Sequence, residues 1–169
     1  QYRTPLVYFD CCFALERVNP LMDHALRPIQ AVLFTCGYNA IRSPMAEAIA
    51  RHYFGKSIYV QSAGVNRGDV DPFTIAVLEE IGIDAHKHKP RTIDELDDWE
   101  GLNFDLIITL SPEAHHKMLD LTRTLAARVE YWPLPDPSLT QGTRDQVLDA
   151  YREVRDILVR QIQARLKNS

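Results

Sequence analysis

Cysteine is scarce in this chain: three residues in 169, two of them the adjacent Cys11 and Cys12 and the third Cys36. An odd, partly adjacent set builds no closed disulfide framework, because a bridge between neighbours is strained. Metal-ligand spacing is missing as well. Cys11 and Cys12 have no nearby His or Cys partner, and the pairs His86 with His88 and His115 with His116 lack a supporting Cys or carboxylate, so no metal site is expected. Cys11 and Cys12 read as small buried apolar residues. Long apolar runs are also lacking. The longest, such as LVYF and AVLF, fall far short of the roughly 18 residues of a membrane span. Neither sign of charge is in large excess, since a net charge of -4 and a pI near 5.8 provide no broad basic surface for nucleic acid or an anionic membrane. Any anion site must be local. No basic stretch leads into an apolar segment with a small-residue cleavage site, so the expected location is cytoplasmic, and a first residue of Gln1 suits a trimmed product.

What is present is a strand, a loop and a helix in close succession. AVLFT is a short β-rich run, and SPMAEAIARHYF carries Met45, Ile49 and Phe54 at roughly helical spacing, with Pro44 near its start. Between them lie Cys36, Gly37, Tyr38, Asn39, Ala40, Ile41, Arg42 and Ser43. Such a loop aims successive amides and the positive end of a helix at one point, which suits a tetrahedral oxyanion. A cysteine at its first position sits under that anion, where the same field favours a nucleophilic thiolate. Arg42 adds a planar fork able to hold two phosphate oxygens. Ser43, just before Pro44, also reads as a helix cap, and Asn39 as a turn residue.

The rest of the chain keeps alternating. SIYVQSAG reads as a strand, DPFTIAVLEEIG as a helix capped by Asp71 with Pro72 first and Gly82 closing it, and FDLIITL as a strand. SPEAHHKMLDL is a helix capped by Ser111, RVEYWPL a fourth strand, and residues 142–166 a long amphipathic helix with Val147, Tyr151, Val154, Leu158, Ile162 and Leu166 on one stripe. The cluster Asp97, Asp98 and Glu100 reads as a solvated loop. Alternation with unbroken apolar strands predicts an α/β fold, a parallel sheet covered on both faces, with ligands beyond the carboxyl ends of its strands. Residues 1–28, punctuated by Pro5, Pro20 and Pro28, read as an N-terminal extension and 29–169 as one domain. Leu6, Val7, Tyr8 and Phe9 could cover the core or mediate self-association. After the fourth strand, Asp136 lies between Pro135 and Pro137 in a stiffened loop and is a candidate proton donor to a leaving group.

Taken together, VLFTC, the C-x5-R-S loop, SPMAEAI, the SAG at Ser62 to Gly64, DPFTIAVLEEIGID, HKPR and the late Asp136-Pro137 resemble the low-molecular-weight protein tyrosine phosphatases and the related arsenate reductases over about residues 31 to 166. The resemblance implies a flavodoxin-like three-layer sandwich with a four-stranded parallel sheet, no cofactor, and a phosphorylated protein or small phosphate ester as substrate. It implies that Cys36 attacks phosphorus, Arg42 binds phosphoryl oxygens, and Asp136 protonates the leaving oxygen and then activates water. Ser43 would hydrogen-bond the thiolate, Asn39 would hold the loop's shape, and the H-x-x-R residues His88 and Arg91 would have structural duties. Four departures stand out. Ile41 replaces the second cysteine of many relatives, which leaves an oxidised Cys36 without that rescue. Tyr38 replaces a common glycine, and Ser138 and Leu139 stand where tyrosines often follow Asp-Pro, so the aromatic wall for a phosphotyrosine ring is altered. LSPEA stands where phosphatases often carry an aspartate and an asparagine. Two alternatives accompany the phosphatase reading: an arsenate reductase resolved by a small external thiol, since no cysteine follows Cys36 for a thioredoxin-coupled route, and a non-catalytic phosphate or phosphoprotein-binding module.

Overall fold

The computed structural model describes residues 27–167. The expectations for Leu6 to Phe9, for Cys11 and Cys12, and for nearly all of the extension lie outside the described residues. The elements run β1 (Ala31–Cys36), α1 (Arg42–Phe54), β2 (Tyr59–Gly64), α2 (Pro72–Glu79), α3 (Ile93–Glu100), β3 (Leu106–Thr109), α4 (Pro112–Leu121), β4 (Arg128–Tyr131) and α5 (Arg144–Leu166). One short 3-10 turn covers Thr122–Thr124 and another Pro137–Leu139. All strand pairings are parallel, in the order β2-β1-β3-β4.

Strand periodicity decides which face each apolar residue serves. Val32, Phe34, Leu106 and Ile108 join Met45 and Ile49 of α1 and the buried stripe of α5 in one core cluster. Leu33 and Ile107 face the other way, against Ile93 and Leu96 of α3 and Met118 of α4. The sheet is therefore the middle of three layers. Phe34 is fully buried, so Phe34→Ala is expected to cost about 3–5 kcal/mol of stability, read as a lower urea midpoint at unchanged slope.

Helix ends follow local chemistry. Asp71 accepts from Phe73 N at 2.8 Å, Ser111 from Ala114 N at 3.4 Å, and Thr143 forms a capping box with Gln146. Gly82, at φ 78°, ends the α2 region, with Ile83 N donating back to Leu78 O. Two expectations change. The Asp97, Asp98 and Glu100 cluster belongs to α3, because Thr92 and Glu95 cap that helix reciprocally and Ile93 and Leu96 anchor it to the core, while the acidic residues stay exposed. Helix α1 begins at Arg42, so Pro44 is its third residue and Ser43 makes no capping bond.

Helix α5 is clamped to α2 by ions. Arg152 meets Glu80 at 2.7 Å and Arg155 meets it at 2.8 Å. The Arg152 hydrogen bond, followed by that from Arg155, holds the Glu80 carboxyl below its ordinary value of 4.5. A depressed carboxyl stabilises the fold above its unfolded-state pKa and loses that contribution as pH falls through the folded value. Glu80→Gln should therefore narrow the stability gap to wild type below about pH 4, with a modest gap at neutral pH for so exposed a group. Among the described residues no helix is long and apolar enough to cross a membrane.

Candidate active site

In the strand order 2-1-3-4, neighbours diverge between β1 and β3, and the crevice beyond their carboxyl ends is where open α/β sheets bind ligands. Cys36 is the last residue of β1 and is buried. The loop after it is turned inside out relative to a strand. The carbonyls of Cys36, Gly37, Tyr38 and Ala40 accept from the amides of Val65, Asn66, Gly68 and Asp71 at 2.8–3.1 Å. In a trans peptide the next N-H points opposite to the carbonyl, so the amides of residues 37, 38, 39 and 41 face the interior of the loop. Among the described residues those amides take no partner. The first amides of α1 add the orphan donors of a helix start. The result is a ring of donors suited to a tetrahedral anion.

The backbone can close this way because of two residues. Asn39 has φ 52°, a left-handed value that asparagine tolerates better than most side chains. Gly64 lies so close that a Cβ there would meet Asn66 O at 2.3 Å and Asn39 N at 2.7 Å. Any side chain at Gly64 would push the loop off the strand end.

Asn39 also organises the side chains beneath the ring. Its Nδ2 donates to Ser43 Oγ and to Ser62 Oγ, both at 2.9 Å, and its Oδ1 accepts from Arg91 N at 3.0 Å and faces His88 Nε2 at 3.1 Å. The other ring nitrogen of His88 lies 2.8 Å from Glu47 Oε2, which also accepts from Ser62 Oγ at 3.0 Å. Ser43 Oγ receives the Asn39 proton, lies 3.5 Å from Ala63 O as a donor, and stands 2.9 Å from Cys36 Sγ, where its hydroxyl is available to a thiolate. Replacing Asn39 with Ala would leave the Arg91 amide unpaired, strip Ser62 and His88 Nε2 of one partner each while Glu47 still holds both residues, and place alanine at positive φ. A loss of about 2–4 kcal/mol is expected in thermal or urea unfolding.

Arg42 and Asp136 complete the mouth. Arg42 Nη1 donates to Leu134 O at 3.0 Å, and its Nη2 lies 3.8 Å from Asp136 Oδ2. Asp136 Oδ1 is occupied by Ser138 N at 3.0 Å and Ser138 Oγ at 2.6 Å, so Oδ2, held only by the longer Arg42 pair, is the oxygen without a hydrogen bond. Cys36, Tyr38, Arg42, Asp136 and Leu139 line one cavity of about 340 Å3. Tyr38 and Leu139 are the exposed flanks, at 60% and 78%. From beneath, Tyr151 of α5 donates to Asp71 Oδ2 at 2.9 Å, and Asp71 holds Ala40 O through its amide. Burial first, then the Asp71 carboxylate, pushes the Tyr151 phenol above its ordinary range, which keeps it a donor.

The residues singled out in the sequence thus lie together: Gly37 to Ser43 form the ring, with Cys36 at its base and Asp136 across the cavity. His88 and Arg91 brace Asn39. Sequence reading missed Glu47, the Leu134 carbonyl, and the second duty of Asp71. Glu47 had no visible signal, since a glutamate in a helix pattern reads as solvent-facing, whereas here it is buried between His88, Ser62 and Arg51. Glu113 was missed too. Its carboxylate lies beside Gly37, close enough that a Cβ there would meet it at 2.5 Å.

Comparison with known proteins bears on the family and the fold that carry this site. Residues 31–168 match the family described as low molecular weight phosphotyrosine protein phosphatase. An arsenate reductase of Bacillus subtilis is 34% identical over 125 residues, covering 74% of this chain and 86% of that protein. The solved structure of an arsenate reductase in the phosphate binding state superposes with TM-score 0.63 at 27% identity over 82% of this chain and 98% of that one. The low molecular weight protein tyrosine phosphatase of T. tengcongensis shares the fold at TM-score 0.68 and 23% identity, over 83% and 99% of the two chains. With a family match spanning most of its length, and a curated relative above 30% identity, this chain belongs to the low-molecular-weight phosphotyrosine protein phosphatase family.

Proposed function

We propose that the chain is a cysteine-dependent phosphatase that hydrolyses phosphotyrosine or other aryl phosphate monoesters. The observation that carries this reading is the run of unpartnered amides directly after Cys36, with Cys36, Arg42 and Asp136 lining the same cavity. In this reading the Cys36 thiolate, stabilised by the Ser43 hydroxyl, attacks phosphorus while the ring and Arg42 take the charge of the equatorial oxygens. Asp136 gives its proton to the departing oxygen. The resulting cysteinyl-phosphate is cleaved by water, whose proton returns to Asp136, and inorganic phosphate leaves. No metal or cofactor enters these steps. A free thiol nucleophile also fits a reducing cytoplasm.

A second reading, arsenate reduction, is favoured by the names of the curated relatives. Arsenate has the shape and charge of phosphate, so the ring accepts either. Release as arsenite needs two electrons, and no cysteine follows Cys36 to supply them as an internal disulfide. An external thiol would have to attack Cys36 Sγ and a second thiol resolve the mixed disulfide. One preparation assayed for p-nitrophenyl phosphate hydrolysis, for arsenate reduction with added thiols, and for phosphate binding separates the two reactions from binding alone. Hydrolysis without thiol-dependent arsenate reduction is the expected result. Phosphate binding without either reaction would overturn the enzymatic reading.

A further inference from the structure

Beside the catalytic mouth lies a larger cavity, of about 500 Å3, whose charge runs against that of the whole chain. Arg51, Arg67, Lys87, Lys89 and Arg91 line it, against two carboxylates, Glu47 and Glu95. Both carboxylates are already spent. Glu47 is shared by Arg51 at 2.8 Å and His88 at 2.8 Å, and Glu95 by Arg67 at 3.2 Å and Thr92 N at 2.8 Å. Arg91 is tied to Gln61 and to Glu100. Lys87 and Lys89 are exposed and, among the described residues, take no ion pair. At the rim stands Trp99, 83% exposed. A single backbone segment separates this cavity from the catalytic one. Arg67 lines the first, its neighbour Gly68 lines the second, and the amides of Asn66 and Gly68 hold the loop carbonyls of Gly37 and Tyr38.

Two ammonium groups without a close ion pair, Lys87 being offset only at longer range by the Asp84 carboxylate, and a bare indole beside a phosphate cradle call for a ligand that is anionic and continuous with the phosphorylated group. We propose that this cavity docks an acidic segment of a phosphoprotein substrate, lying a few residues from the phosphorylated side chain, with its carboxylates on Lys87 and Lys89 and its backbone or an apolar side chain on Trp99. The inference rests on the phosphatase reading above and names the substrate class that reading leaves open. Local positive charge on an acidic chain steers such a segment and repels basic ones. Contacts of this exposed kind act on KM and fade with salt.

The test compares two phosphotyrosine peptides, one with Asp and Glu flanking the phosphorylated residue and one with Ser and Gly, on the wild type and the Lys87→Ala/Lys89→Ala double variant. The acidic peptide should show a kcat/KM about five- to tenfold higher, carried by KM, on the scale of two exposed charge pairs. The double variant and high salt should each erase the difference, with p-nitrophenyl phosphate turnover unchanged. Equal peptides, or a preference surviving the double substitution, overturn the docking site while leaving the phosphatase reading intact. Absence of p-nitrophenyl phosphate turnover sinks the phosphatase reading instead. The docking site is then read by titrating an unphosphorylated acidic peptide against tryptophan fluorescence, with Trp99→Phe as control; no Trp99-dependent change overturns it. A response to an oligonucleotide of equal charge but not to the peptide overturns the assignment of a protein partner.

Discussion

Cys36→Ser should lower aryl phosphate hydrolysis by on the order of 1,000-fold or more, the scale of losing a nucleophile that works within an intact binding site. The structural reason is that the substitution changes one atom where the surroundings stay satisfied. A serine hydroxyl fits beside Ser43 Oγ, now 2.9 Å from sulfur, and the ring amides keep their orientation because Val65, Asn66, Gly68 and Asp71 hold the carbonyls behind them. Thermal unfolding should shift by only a few degrees, and inorganic phosphate should still bind. The serine hydroxyl is far less ionised than a thiol at neutral pH, so attack on phosphorus fails for chemical and not structural reasons. Near-wild-type activity in this variant would remove the covalent route.

Asp136→Asn is the second large effect, expected at about 100-fold or more with a poor leaving group. Oδ1 accepts from both Ser138 N and Ser138 Oγ, so an asparagine can keep its carbonyl oxygen there and place its amide where Oδ2 now lies, 3.8 Å from Arg42 Nη2. The loop should therefore stay in place while the transferable proton is lost. A series of aryl phosphates of increasing leaving-group acidity checks this in kcat. The loss should shrink as the leaving group needs less help, and an equal loss across the series would give Asp136 a positioning role only.

The fold was legible because its determinants are local. Unbroken apolar runs with residues serving both faces, Asp71 and Ser111 each ahead of a proline, and the stripe of α5 all act within a few residues of themselves. Helix α3 escaped for the opposite reason. Only Ile93 and Leu96 are buried in its eight residues, and Asp97, Asp98 and Glu100 hide a capping box that needs both Thr92 and Glu95 to be recognised. At the site, the consecutive stretch from Cys36 to Ser43 could be read because loop and helix start are contiguous. The braces could not. Asn39 meets His88 and the Arg91 amide across about fifty residues, Asp71 meets Tyr151 across 80, and Arg42 meets the Leu134 carbonyl across 92, distances over which only the folded sheet sets the pairing.

The four carbonyl latches of the Cys36 loop exist before any anion arrives. Their consequence is thermodynamic: the entropic cost of shaping the cradle is met during folding, so little ordering remains for binding to oppose. Inorganic phosphate, the reaction's own product, should then associate with a favourable enthalpy and almost no backbone rearrangement, competing with substrate for a mould already set.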